Sequence, residues 1–111
     1  MAIARFEFQS NVFEVDIAGE IYKIDTASDE MQAKIQSVIE MADKKTNIDD
    51  VMSACVACVD AVLGEGATKE IFKDRKVSFM DLIDLMCFLQ QQIAEFKAKR
   101  VSKYASQYFN Q

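Results

Sequence analysis

Apolar and polar residues alternate over the first two dozen positions, and from there they recur at helical spacing almost to the end of the chain. In FEFQSNVFEVDI, Phe6, Phe8, Val12, Phe13, Val15 and Ile17 are interleaved with Glu7, Glu14 and Asp16. A period of two with aromatic and β-branched residues predicts strands. Gln9-Ser10-Asn11 is the polar break between them, which predicts a hairpin of residues 3–8 and 12–17. Ile21-Tyr22-Lys23-Ile24, after Gly19, is either a third short strand or the lead into a helix. An isolated hairpin is marginal in water, so this one must pack on helices or pair with another chain.

Three main helices follow. Thr26 or Ser28 caps the first, which runs to about Lys44 with Asp29 and Glu30 near its positive end and Met31, Ile35, Val38 and Ala42 on one face. The second starts near Asn47 and ends at Leu63, where Gly64 is expected to take the left-handed conformation of a helix stop. Ile48, Val51, Met52, Cys55, Val59 and Val62 share one side, and Asp49, Asp50, Ser53 and Asp60 the other. Residues 67–72 read as one short turn of helix anchored by Ile71 and Phe72. The third long helix opens at Ser78, with Asp81 three residues on as in a capping box. Its stripe of Phe79, Leu82, Ile83, Met86, Leu89, Ile93 and Phe96 is widened by Met80, Leu85 and Cys87. A helix apolar on most of its circumference needs partners on most sides. The expectation is an α+β, mainly α fold: one domain of 111 residues with a β-hairpin region over 1–25, a helical region over 26–104, and a tail over 105–111 that either extends the last helix or is free.

Composition narrows the function classes. Half the residues are apolar and 28% charged, which is ordinary for a globular chain and wrong for a disordered one. The net charge of -5 disfavours nucleic acid, whose phosphates call for clustered Lys and Arg. No apolar run reaches the ~18 residues of a membrane span. MAIARFEFQS alternates where a signal peptide carries an apolar block, and three cysteines fit a reducing compartment, so the protein is expected in the cytoplasm.

Candidate chemistry is thin. Cys55-Val56-Ala57-Cys58 has a metal-ligand spacing, but a closed zinc site takes four ligands and the chain has no histidine. Cys55 lies on an apolar face, so these thiols read as small core hydrophobes. Gly64-Glu65-Gly66 follows a helix and lacks the lysine of a phosphate loop. Asp49-Asp50 and the pair Asp81 and Asp84 lie near helix N-termini and read as solvated faces. Lys69, Lys73, Arg75 and Lys76 make a small basic patch at the connector. No nucleophile–base pair, metal constellation or cofactor loop is present, and the expectation is a binding protein without a cofactor.

Phe88 falls in the polar sector of the third helix among Asp84, Gln91, Gln92 and Glu95, and is expected to meet a second subunit, a partner helix or the hairpin. Gln90 is the reverse, a polar residue inside the apolar sector.

Phe6-Glu7-Phe8, Val12-Phe13-Glu14-Val15-Asp16, Leu63-Gly64-Glu65-Gly66-Ala67, Ile71-Phe72 and Arg75-Lys76-Val77-Ser78-Phe79-Met80-Asp81-Leu82-Ile83-Asp84 together carry a resemblance. In order and spacing the chain resembles the small tail assembly chaperones of long-tailed phages and prophages of Gram-positive bacteria. The resemblance implies a mostly helical, non-catalytic protein that binds the tape measure protein before tail tube subunits polymerise around it. It further implies the tail tube protein as a partner of a frameshifted longer form, and absence from the finished virion. A greasy, methionine-containing surface that can repack suits such a reversible holder of helices. Residues expected at the contact are Phe79, Met80, Ile83, Phe88 and Phe96, in a chain expected to self-associate. Two other classes stand beside this one: a structural virion component, such as a head–tail connector or tail completion protein, and a small regulatory adaptor of a prophage.

Overall fold

A computed structural model describes residues 3–42, 47–73 and 75–109. The element order is β1 (Val12–Ile17), β2 (Glu20–Asp25), α1 (Asp29–Ala42), α2 (Ile48–Leu63), α3 (Ala67–Phe72) and α4 (Phe79–Phe109). The fold is α+β and mainly α, with an N-terminal hairpin followed by helices, as the patterning predicts.

The hairpin is built from a different pair of segments than expected. β1 pairs antiparallel with β2, Ile17 opposite Glu20 and Val12 opposite Asp25. Residues 3–8 form no strand, and Gln9-Ser10-Asn11 is not the turn. The turn is Ala18-Gly19, both at positive φ (53° and 89°), the backbone of a type I′ connection that follows the right-handed twist of the strands. Asp16 closes it, its Oδ1 accepting the Gly19 N–H at 2.9 Å. This register puts Val15, Tyr22 and Ile24 on the buried face. At the open end the Thr26 N–H and hydroxyl both donate to the Asn11 carbonyl, at 2.9 and 2.7 Å.

Each long helix starts at a side-chain cap. Ser28 Oγ accepts the Met31 N–H at 3.2 Å, Asn47 Oδ1 the Asp49 N–H at 2.9 Å, and Ser78 Oγ the Asp81 N–H at 3.1 Å. The first helix is described to Ala42, and its expected last turn to Lys44 lies outside the described residues. Gly64 departs from expectation. Its φ of 122° and ψ of 153° belong to a glycine-only extended region, and the left-handed residue is Gly66, at the start of α3. The tail is helical as far as Phe109.

α2 is the centre of the packing, in contact with α1, α3, α4 and β2. It contributes Cys55, Cys58, Val59, Val62 and Leu63 to a core completed by Ile24, Met31, Phe72, Leu82, Met86, Leu89 and Ile93. Cys58 is as fully buried as Cys55, in a helix packed by α1, α3, α4 and β2. The 31 residues of α4 run about 46 Å at 1.5 Å per residue, much longer than the core they cover. The molecule is elongated accordingly, 62 × 32 × 22 Å.

Candidate partner-binding surface

Asp60, placed from sequence opposite the apolar side of its helix, is half-buried and ties α2 to α3. Its Oδ1 accepts the Thr68 N–H at 2.9 Å and the Thr68 hydroxyl at 2.8 Å. Thr68 is itself buried, so this bond satisfies two donors that have left water. Tyr22 reaches α3 from the other side, donating to Glu70 Oε1 at 3.0 Å. These bonds hold the connector between α2 and α4 and thereby fix where α4 begins. Arg75 then pairs with Asp81 at 3.2 Å across the start of that helix. Asp81 is therefore partnered, where the sequence suggested only a solvated carboxylate.

The cysteines behave as core. Cys55 and Cys58 are inaccessible, and burial raises both thiols, Cys58 to about 11 with a further push from Cys55. Such thiols stay protonated near neutral pH and are poor nucleophiles and metal ligands. Cys87 is exposed on α4.

Of the five residues expected at a contact, Phe96 is used internally. Its ring stacks on Phe13 of β1, centroids 4.8 Å apart and planes 18° from parallel. The Arg100 guanidinium lies 5.2 Å from the Phe96 centroid on the same helix. Arg100 Nη1 also donates to Asn11 Oδ1 at 2.7 Å, and Nη2 to the Ser10 carbonyl. The hairpin, one of three partners expected for Phe88, is held by Phe96 and Arg100.

Phe88 is 36% exposed on the side of α4 away from Met86 and Ile93. On a wheel of 100° per residue it stands about 80° from Met80, with Asp84 and Gln91 between them. Phe79 and Ile83 are half-buried, and Met80 is 66% exposed beside them. The five residues do not converge. Phe79, Met80 and Ile83 lie together, Phe96 turns to the hairpin, and Phe88 stands alone.

The flank that carries Met80 continues along the helix. Met80, Cys87, Ala94 and Val101 recur at intervals of seven, and all four are exposed, Val101 at 67%. Beside this stripe, α1 and α4 leave a groove of about 340 Å³ floored by Met31, Ile35, Ile39 and Ile93 and rimmed by Gln32, Gln90 and Lys97. This position explains Gln90: the apolar sector of α4 faces an open groove there, where a polar rim residue stays wet. Groove and stripe together make an apolar surface along one side of a long helix. Sequence periodicity gave the apolar sector; it could not show that a groove stays open between α1 and α4.

These features define a small α+β protein with an extended apolar surface along a helix and beside an open groove. The chain belongs to DUF6673, a family of unknown function, whose family model matches residues 4–111. No curated protein and no solved structure matches it. Among the described residues, no helix is long and apolar enough to cross a membrane.

Proposed function

We propose that this protein is a tail assembly chaperone of a long-tailed phage or prophage, and that it keeps the tape measure protein soluble by holding its apolar helices. The observation that carries the reading is the open α1–α4 groove continuous with the exposed Met80, Cys87, Ala94 and Val101 stripe. A groove with an apolar floor and polar rim suits the apolar face of an amphipathic helix, which docks through side chains at three- and four-residue intervals. The LGEGA, IF, RK and MDLID segments, with their likeness to such chaperones, supply the class of partner. The contact is assigned to Met80 and Ile83, with the half-buried Phe79 beside them; Phe96 acts indirectly by fixing the hairpin. Phe88 lies outside this surface. The reading is non-catalytic, requires no cofactor and places the protein in the host cytoplasm during assembly, outside the finished tail.

Co-expression with the tape measure protein encoded by the same phage or prophage tests this. A soluble complex containing both chains is expected, with the tape measure protein insoluble when expressed alone. A tape measure protein that stays insoluble in the presence of this chain, or this chain retained in purified finished tails, overturns the reading.

A further inference from the structure

Residues 3–8 keep a strand's alternation without a strand's partner. Phe6 and Phe8 are 71% and 91% exposed and touch each other edge to face at 4.9 Å. The segment leaves the body at Ser10 and Asn11, which Arg100 holds against α4. The hairpin has only two strands, so both of its edges are open. On the outer edge of β2, no backbone hydrogen bond reaches Ile21 or Lys23 among the described residues. An open edge and an unpaired apolar strand are complementary groups.

Side-chain parity and charge select one register. On β2, Tyr22 and Ile24 face the core while Ile21, Lys23 and Asp25 face solvent. Placing Phe6 opposite Ile24 and Phe8 opposite Tyr22, antiparallel, extends the buried face with two aromatic rings. The same register sets Glu7 opposite Lys23 and Arg5 opposite Asp25, two pairs of opposite charge on the solvent face. Slipping by two residues either way opposes Arg5 to Lys23 or Glu7 to Asp25, and slipping by one turns both phenylalanines to water. β1 is the poorer acceptor, since both charges on its solvent face, Glu14 and Asp16, are acidic.

The chain cannot make this pairing with itself. With Gln9 beside Ile21, the segment would stop opposite Asp16 and still have to reach Val12. Val12 is four residues back along the sheet and two strands across, about 17 Å at standard spacings. The three steps from Gln9 to Val12 span at most about 11 Å.

We infer that residues 3–8 of one copy add as a third strand to the β2 edge of a second copy. Lys23 then lies between Glu14 of its own hairpin and Glu7 of the other chain. Each copy has one donor segment and one acceptor edge, so reciprocal exchange closes a two-fold dimer, whereas onward exchange builds a ring or an open filament. The inference does not depend on what α4 binds.

Sedimentation of the full chain with two charge variants tests it. Wild type should associate. Glu7→Lys and Lys23→Glu, each alone, should weaken association roughly tenfold by opposing like charges in every donor–acceptor pair. An equimolar mixture of the two variants should recover wild-type association, because each strand then meets an edge of opposite charge. Circular dichroism melts check that each variant is folded, and both altered side chains are exposed. A monomeric wild type, an association indifferent to either substitution, or a mixture no stronger than its components overturns the inference.

Discussion

Phe13 and Phe96 are 83 residues apart and stack nearly parallel at 4.8 Å, the contact that joins the hairpin to the far half of α4. Arg100 extends it by lying near Phe96 while donating to Ser10 and Asn11. The position of the N-terminal segment is therefore set by a helix almost ninety residues further along the chain. Phe96→Ala should cost about 1–3 kcal/mol from the lost burial and stacking of a partly buried ring. In a double-mutant cycle with Phe13→Ala, urea titrations should show a coupling of about 1 kcal/mol. Additive losses would mean that the rings stabilise their own elements separately.

Asp60 gives the second prediction. Asp60→Ala removes the acceptor for both donors of a buried threonine, and should lower stability by about 1–2 kcal/mol. Asp60→Asn keeps one oxygen at the site and should lose less. Hydrogen exchange should place the damage at α3, with the amide of Thr68 losing protection first. Equal losses in the two variants would point to the charge of Asp60, in place of its geometry, as the important property.

The helices were legible because their signals are local: Ser28, Asn47 and Ser78 announce starts, and apolar residues recur with the helical period. The hairpin was legible as a type of element but not in its pairing. Three alternating segments lie between Phe6 and Ile24, so alternation cannot say which two meet; Gln9-Ser10-Asn11 is the more polar break, and Ala18-Gly19 lacks the usual Asn or Asp of a type I′ turn. Asp16, three residues before Gly19, was the available clue. Arg100 carries no local signal of its role, since its side chain serves a tertiary contact with Asn11, 89 residues away in the chain. The groove was not legible at all. It depends on the angle at which α1 and α4 leave α2, although Gln90 in an apolar sector marked the spot.

Tyr22 should make the fold alkali-sensitive. Burial first, and then the hydrogen bond and charge of Glu70, push its phenol from 10.0 to about 12. The neutral phenol is thus favoured in the folded state. Its contribution is fully present below pH 10 and is lost as pH rises from 10 to 12. Thermal melts of wild type should fall more steeply across that window than melts of Tyr22→Phe, which has no proton to lose. Parallel curves would contradict the assignment.

Thiol labelling should distinguish the three cysteines. Cys87 is exposed and should react at once with a small disulfide reagent, whereas Cys55 and Cys58 should react only on unfolding. The expected stoichiometry is one thiol in the native protein and three in denaturant. Cys87 also lies within the proposed contact stripe, so bound tape measure protein should slow its labelling. Rapid native labelling of Cys55 or Cys58 would mean that α2 opens readily.

Met80 and Phe88 separate two faces of the same helix. Both are exposed, so Met80→Glu and Phe88→Asp should each shift stability by only about 0.5 kcal/mol. Their effects on partner binding should differ. Met80 begins the stripe that continues through Cys87, Ala94 and Val101, and a carboxylate there would have to be desolvated without a partner when a helix docks. Met80→Glu should therefore abolish recovery of soluble tape measure protein. Phe88 is set about 80° away, beyond Asp84 and Gln91, and Phe88→Asp should leave recovery near that of wild type. The opposite pattern would move the docking surface to the back of α4 and leave the α1–α4 groove without a role in binding.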